Sequence, residues 1–474
     1  MTFRDGFLII VFMKITVRPE ESENNLLRLL QKAGAPLSAP CGGNGHCGKC
    51  RVILNGSTVL ACRTTVDGPA EVEIPDRNNI VSEIGSHETN TIRNKKVNVA
   101  VDIGTTTVAV ALTDGEEIVT STVFDNPQIA YGSDVLSRIQ ASKKSGVEAL
   151  KKPLLSAVGK AVEELNAKYR TAIENVFVCG NTVMLHIFWG EDVASLGVAP
   201  YTPKFLDRRE GILPAFGQAK VVTLPCVSSY VGADIVAGLT TLPPPEKGKV
   251  DLFIDLGTNA EIALIDEKTT YVTSASAGPC FEGGNISCGM PVTDGAIKSF
   301  SLEDGKSTFF YFGLRPTGLC GSGLIDVVGQ LVKNGIIDET GYLKAEKGYL
   351  ITQNVVLTQN DVRAYQTAKS AVKSGIDVLL LYANKSYADV GTVYLSGGFS
   401  RAIDVKNVIL SGLLPGVFSD KCVPLGNSAL SGAAIYSVHP EKAEKILSSA
   451  RYVDLGGLPL FSELFIKNLD FKNE

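Results

Sequence analysis

Lys96–Gly115 reads KVNVAVDIGTTTVAVALTDG, and Lys249–Lys268 reads KVDLFIDLGTNAEIALIDEK. Each stretch alternates apolar and polar residues, turns through a Gly/Thr loop, and alternates again, which is the pattern of two strands joined by a tight turn. The two match almost position for position: Asp102 answers Asp255, Gly104 answers Gly257 and Thr105 answers Thr258, at a separation of 153 residues. A long-period repeat of this kind predicts two half-domains built on the same opening hairpin.

The surrounding sequence extends that reading. YGSDVLSRIQAS (131–142) and GVEALKKPLLSAVGKAVEELNAKY (146–169) carry helical spacing, and IENVFVCGNTVMLHIFWG (173–190) runs from strand into helix. The rhythm is α/β. DVGTVYLSGGFS (389–400) predicts a last strand reaching the diglycine Gly397-Gly398, and LGNSALSGAAIYSV (425–438) a helix after it. His186 and Trp189 share one apolar helix and are expected in its core, the histidine hydrogen-bonded. The boundaries drawn are a small domain over 1–84, a linker over 85–96, a first lobe over 97–245 and a second over 246–474. A chain of 474 residues is long enough for that division.

In such hairpins the glycines Gly104 and Gly257 let backbone approach a phosphate. Thr105, Thr106, Thr258 and the following Asn259 supply amides and polar side chains to its oxygens. An aspartate at each strand end, Asp102 or Asp255, suits a magnesium ion held through water, or an attacking water. Neither loop is a G-x-x-x-x-G-K-[ST] or a G-x-G-x-x-G motif.

Upstream lies APCGGNGHCGKCRV (39–52). Cys41, Cys47, Cys50 and Cys62 are spaced C-x5-C-x2-C-x11-C, with Gly42, Gly43, Gly45 and Gly48 among the first three. Thiolates ligate iron, and glycine lets a tight loop enter left-handed conformations while turning its amides toward sulfur. Zinc accepts four thiolates equally well, but its sites usually pair cysteines as two C-x2-C knuckles, and only Cys47 and Cys50 do so here. His46 is given no ligand role, since four cysteines complete the set. NNLLRLLQKAG (24–34) predicts a helix, RVILNGSTVLACRTTV (51–66) a hairpin turning at Asn55-Gly56, and AEVEIP (70–75) a further strand. A domain this small gains stability from a bound metal cluster.

Composition excludes other classes. Forty-five basic residues face fifty acidic ones, for a formal charge of -5, so no nucleic-acid face is implied. The apolar run Phe7–Met13 is too short to span a bilayer and lacks the flanks of a secretory signal, which predicts no membrane partner and a cytoplasmic location. MKITV from Met13 opens a domain cleanly, with residues 1–12 an upstream extension. Ten cysteines without a secretory signal argue against disulfides.

The cysteine loop resembles the plant-type [2Fe-2S] ferredoxin domains, which implies a small α+β β-grasp domain with one two-iron cluster moving single electrons. The paired loops with LSGGFS resemble the family of actin, sugar kinases, acetate kinase and the heat-shock ATPases. That likeness implies two ribonuclease-H-like lobes closing over Mg2+ and ATP. Asp102–Thr106 would be the first phosphate motif, Asp255–Thr258 the second, and Gly397 and Gly398 the adenosine motif.

The combination is similar to the reductive activators of corrinoid proteins. CGGNGHCGKC, YGSDVLSRI, SYVGADIVAG, AGPCFEGGNISCGM and GLCGSGLIDVV all resemble motifs of that family. The resemblance implies ATP-dependent one-electron reduction of cobalt(II) to cobalt(I) on a corrinoid protein or corrinoid-dependent methyltransferase. It also implies a low-potential electron donor, and is compatible with a homodimer. Two departures stand out: the short linker leaves no room for the extra middle domain of longer members, and Cys280 occupies the place of a small non-thiol residue. Cys280 is expected to pack rather than pair with Cys288 on a metal. Glu282 is a candidate contact in the cleft. The competing readings are a small-molecule kinase with a fused redox sensor, a non-catalytic binding module, and an activator of a different radical or dehydratase enzyme.

Overall fold

The computed structural model describes residues 12–20, 23–33, 35, 37, 43, 45, 50–75, 92–132 and 134–472. The expected upstream extension lies outside them except for Phe12, which already pairs with Pro75; most of the expected linker also lies outside.

The N-terminal unit consists of β1 (Phe12–Val17), α1 (Leu26–Lys32), β2 (Arg51–Leu54), β3 (Ser57–Leu60) and β4 (Ala70–Pro75). Its sheet runs β1-β4-β2-β3, every pair antiparallel. The hairpin turns where expected, with Asn55 and Gly56 both at positive φ (51° and 75°), as a two-residue turn that follows strand twist requires. One face of the sheet packs on α1, whose Leu26, Leu27, Leu29 and Leu30 are buried with Val17, Val52, Val72 and Ile74. Asn25 caps the helix by accepting from Arg28 N, and its own amide donates to Cys62 O at 3.0 Å, fastening the helix start beside the fourth cysteine.

The first lobe follows: β5 (Lys96–Ile103), β6 (Thr107–Asp114), β7 (Glu117–Asp125), α2 (Val135–Ser145), α3 (Val147–Tyr169), β8 (Ala172–Gly180), α4 (Thr182–Trp189), β9 (Arg209–Ile212), β10 (Lys220–Thr223) and α5 (Ala233–Thr240). Its sheet order is β7-β6-β5-β8-β10-β9. The first three strands form an antiparallel meander, and β8 and β10 join in parallel beside β5. In α4 the ring of His186 is fully buried, meeting Thr182 O at 2.7 Å and accepting from Lys204 N at 3.0 Å. Trp189 donates its indole N–H to Thr223 at 2.9 Å. His186 is a core residue, as its apolar helix implied, whereas Trp189 is half-buried and packs against that core from its edge.

The second lobe opens with β11 (Val250–Leu256), β12 (Ala260–Ile265) and β13 (Thr270–Ala275). After β14 (Ala296–Glu303), β15 (Lys306–Tyr311) and β16 (Gly318–Leu319), which make a small sheet, come α6 (Gly321–Lys333), the hairpin β17 (Tyr349–Thr352) and β18 (Val355–Leu357), and the long helix α7 (Gln359–Tyr382). The chain then returns through β19 (Val390–Ser396), α8 (Val405–Leu410), β20 (Cys422–Gly426), α9 (Ser428–Tyr436), α10 (Pro440–Ser449), β21 (Ala450–Tyr452) and α11 (Pro459–Lys467). The main sheet runs β20-β19-β11-β12-β13-β21. Again a meander is continued on one side by two parallel strands, so apart from the edge strands β9 and β21 both lobes share a 3-2-1-4-5 strand order, and the duplication is architectural as well as sequential. β19 is not the last strand, as the sequence suggested: β20 and β21 follow it, each too short and too weakly patterned to stand out.

The lobes meet through two helices. α9, reached from the second sheet, buries Ala429, Leu430, Ala433 and Ala434 in the first lobe's core. α5 leaves the first sheet and buries Ile235 and Leu239 beside Phe253 of β11. They cross closely: a Cβ on Gly432 would lie 1.9 Å from Ala237 O. Only glycine permits that approach.

Candidate functional site

The two hairpins bring their loops to facing positions because each first strand ends at the same place in its sheet. Asp102 is registered with Cys179 on β8, and Asp255 with Ser396 on β19. One residue further, a Cβ on Gly180 would fall 2.7 Å from Ile103 O, and one on Gly397 2.6 Å from Leu256 O. Gly180 is therefore the first-lobe counterpart of Gly397, a correspondence that strand register shows and sequence alignment of the hairpins does not. Gly398 has nothing within 4 Å of its would-be Cβ and borders the open cleft.

The first loop is held from behind. Asn126 donates its amide to Gly104 O at 2.8 Å and its backbone N–H to Thr106 O at 2.8 Å. Arg138, fully buried on α2, donates to Thr105 O, to Gly132 O at 3.1 Å and to Gln128 Oε1 at 3.3 Å. Burial lowers its basicity to about 9. Three successive carbonyls of the loop are thus satisfied on the protein side. Asn181 caps α4 and also donates to the Thr105 hydroxyl at 3.3 Å. In the second loop the Gly257 N–H donates to Asn259 O at 2.9 Å, closing a tight turn that leaves Thr258 at its tip. A Cβ on Gly104 would meet Thr107 O at 2.8 Å, so that position takes glycine. Loops so braced suit a polyphosphate.

Carboxylates gather between the loops. Asp102 accepts from Asn427 at 2.8 Å, the residue that also caps α9, so this contact joins the second-lobe chain to the first lobe's strand end. Asp255 accepts from the Ser396 hydroxyl at 2.9 Å. Burial lifts Asp102 to about 7 and Asp255 to about 6, and for Asp102 the nearby Asp255 charge adds to the lift. Asp234, in the first turn of α5, and Glu261, on β12, are raised by burial and by their acidic neighbours. Neither was singled out from sequence, although SYVGADIVAG and DLGTNAE contain them. Burial and mutual repulsion together favour the protonated forms of these acids while no cation is bound. Among the described residues no three His, Cys, Asp or Glu side chains are grouped closely enough to hold a metal by themselves.

A cavity opens beside the first loop, bordered by Thr106, Glu282, Lys298, Phe312, Phe399 and Arg401. Its walls are mostly apolar, with two cations and one carboxylate among them, the usual make-up of a small-molecule site. Glu282 lies on the loop after β13 and accepts from the Thr258 hydroxyl, while burial raises its carboxyl above the ordinary carboxylate range. Cys280 is buried in the second lobe's core, and its thiol is pushed up by burial, as a packing cysteine should be.

In the N-terminal unit Cys50 Sγ and Cys62 Sγ stand 3.2 Å apart, brought together where the start of β2 meets the short turn after β3. At metal–sulfur bonds of about 2.3 Å, two thiolates on one tetrahedral ion lie roughly 3.8 Å apart, so a small outward movement lets this pair share a metal. Gly43 and Gly45 adopt φ of 88° and 80°, the left-handed backbone expected of a cluster loop. Cys41 and Cys47 lie outside the described residues.

Two ribonuclease-H-like lobes, facing Gly/Thr loops and a strand-end aspartate in each define an ASKHA-type protein, the actin, sugar-kinase and Hsp70 class. Comparison with known proteins agrees: residues 249–474 match the family described as the C-terminal domain of RACo, the ASKHA domain, and residues 97–243 match the RACo middle region. The expected absence of a middle domain is thereby corrected: residues 97–243, the first lobe, match the family's middle region. The corrinoid activation enzyme RamQ of Eubacterium limosum is 30% identical over 417 residues, covering 79% of this chain and 70% of its own. The [Co(II) methylated amine-specific corrinoid protein] reductase of Methanosarcina barkeri is 23% identical over 394 residues, covering 75% and 72%. A solved structure of a reductive activator for a corrinoid, iron-sulfur protein superposes with a TM-score of 0.71 at 26% identity, over 99% of this chain and 80% of that one. The chain belongs to the RACo-like family of corrinoid-activating proteins. Among the described residues no helix is long and apolar enough to cross a membrane.

Proposed function

We infer that this protein is a reductive activator of a corrinoid protein, using ATP to return inactive cobalt(II) to cobalt(I) one electron at a time. The observation that carries this reading is kinship to corrinoid activators and reductases, on a chain that has two phosphate-type loops and two adjacent thiols. In this reading Cys41, Cys47, Cys50 and Cys62 hold a [2Fe-2S] cluster. Bound there, the cluster supplies single electrons at low potential.

The remaining work falls to the chain's own groups. Thr105, Thr106, Thr258 and Asn259 hold phosphate oxygens, while Gly104, Gly257, Gly397 and Gly398 let them approach. Asp102 and Asp255 carry the waters of Mg2+, and one of them orients the attacking water. Lys298 and Arg401 face the nucleotide from the cavity wall. The Asn427–Asp102 contact ties the two lobes, so nucleotide bound between the loops has a direct handle on lobe closure. Coupling requires that nucleotide bind the open and closed forms unequally and that the oxidised partner prefer one of them. The partner is a corrinoid protein or corrinoid-dependent methyltransferase, and a separate low-potential donor refills the cluster.

The test is ATP turnover, measured anaerobically. Slow basal hydrolysis should rise severalfold with saturating cobalt(II) corrinoid protein, and the Asp255→Asn variant should lose both rates. Turnover indifferent to the partner would remove the coupling.

A further inference from the structure

The chain from the end of α11 onward lies along α7 and is held there mainly by polar groups. Gln366, Lys369, Ser370, Ser374 and Asp377 share one face of α7, and each bonds a residue between Phe465 and Asp470. Gln366 donates to Leu469 O at 3.0 Å and Ser370 to Phe465 O, while Asn468 gives its amide to Ser374 at 3.0 Å and to Asp377 at 2.9 Å. Lys369 is the centre of this hold. Fully buried, it donates to Asn468 O and Asp470 O at 2.7 Å each, and its ammonium sits 4.8 Å from the centroid of the Phe471 ring. Burial lowers its basicity to about 7, so the place is unfavourable for a cation, and what offsets that is two carbonyls and an aromatic face. Phe471 is itself buried, and its ring stacks on Tyr365 with centroids 6.4 Å apart and planes 8° from parallel.

Tyr365 passes that contact toward the cleft. It meets Phe281 edge-on at 5.9 Å, and Phe281 stacks on Phe399 at 6.4 Å. Phe281 and Phe399 both border the cavity. The residue after Phe281 is Glu282, whose carboxylate accepts from the Thr258 hydroxyl at the tip of the second phosphate loop. One turn before Tyr365, Asp361 accepts both the backbone N–H and the hydroxyl of Ser287, fixing the far end of the same cleft loop. α7 therefore grips that loop twice, and the grip nearer Glu282 is the one that Phe471 backs.

We propose that Phe471 is a positioning residue for the nucleotide cleft: pinned by Lys369, it keeps Tyr365 against Phe281 and thereby keeps Glu282 on Thr258. This rests on the cleft being the nucleotide site, and it adds a remote element that sets the shape of the second phosphate loop. Without the ring, Tyr365 relaxes into the vacated space. Phe281 then loses its edge-on contact, and the loop from Pro279 to Ser287 opens more often.

The experiment uses the full chain and compares wild type with Phe471→Ala and Phe471→Leu, the second keeping a buried apolar side chain while removing the ring. Amide hydrogen exchange is followed without nucleotide, and binding of Mg2+ with a non-hydrolysable ATP analogue is measured by calorimetry. The amides of Gly283, Gly284 and Ser287 report on the cleft loop, since all three are hydrogen-bonded. In both variants they should exchange at least about tenfold faster, while the strands β11 and β12 stay within about twofold of wild type. The analogue should bind at least about threefold more weakly to both. Exchange that rises evenly through the second lobe would overturn the proposal, because Phe471 would then only fill the core. Exchange unchanged at the three amides would overturn it too, and so would a loosened loop with unchanged affinity. Wild type that binds no nucleotide would refute the cleft reading and the proposal with it. Wild type that binds while the variants match it in both measurements would leave the cleft reading standing and remove the role of Phe471 alone.

Discussion

Replacing Gly432 with alanine puts a single methyl group into the joint between the lobes. The added carbon would sit 1.9 Å from Ala237 O and 2.2 Å from Ala237 C, both main-chain atoms of α5. Moving it out to the 3.0 Å that Cβ atoms keep needs the helices to part by about 1.1 Å. A gap of that size forfeits a quarter to a half of the dispersion energy across the contact, and overpacking of this kind costs about 1–3 kcal/mol. α9 begins at the Asn427 cap, whose amide sits 2.8 Å from Asp102. Carried along with the helix, that bond would stretch to about 3.9 Å and break, at a further cost of about 1.5–3 kcal/mol for a hydrogen bond to a carboxylate. Better helix propensity returns about 1 kcal/mol. The net expectation is a loss of about 1.5–5 kcal/mol. It should appear as a lower urea midpoint for the lobes, together with weaker Mg-nucleotide binding. Gly68→Ala is the control: its site has nothing within 4 Å and no left-handed backbone, so its effect should stay within about 0.5 kcal/mol. If Gly432→Ala left both the midpoint and nucleotide affinity unchanged, the joint would not be where the lobes communicate.

Three further outcomes are expected. Asp102 and Asp255 have folded pKa values near 7 and 6, above the unfolded value near 3.9, so the folded state holds protons that the unfolded state releases. Their contribution to ligand-free stability therefore declines as pH rises from about 4 to about 7, while Mg-nucleotide affinity rises across pH 6–8; denaturation series and calorimetry should show the opposed trends, and Asp102→Asn should flatten both. Arg138→Met strands the Thr105 carbonyl and its companion acceptors, and should cost about 3–5 kcal/mol in urea denaturation and at least tenfold in nucleotide affinity. Cys62→Ser should abolish the visible absorption of protein reconstituted anaerobically with iron and sulfide, yet leave nucleotide binding within twofold; retention of a full chromophore would exclude Cys62 as a ligand.

Much of this molecule was legible before its coordinates. The repeated hairpins announced two lobes because their alternation and loops are local, and strand register then placed Asp102 and Asp255 in equivalent positions. The Asn55-Gly56 turn was legible for the same reason. What escaped depends on tertiary placement. Gly180 matches Gly397 only through the parallel strands that carry them, and the sequence between hairpin and strand differs in each lobe. Arg138 looks like any helical cation in YGSDVLSRI, and only burial shows it bracing the phosphate loop. Asp234 and Glu261 are ordinary acids on a helix and a strand until their neighbours raise them together. β20 and β21 were missed because short edge strands carry too few alternations to read.

The account joins a thiolate-held cluster to a nucleotide cleft and makes cobalt their common target. The most direct measurement is the cobalt(I) absorption of a cobalt(II) corrinoid protein mixed anaerobically with the reconstituted chain, a low-potential reductant and Mg-ATP. The band should grow with the complete mixture and fail to grow without nucleotide or with Cys50→Ser. Equal growth in all three mixtures would show that neither the cluster nor the cleft takes part, and would contradict it.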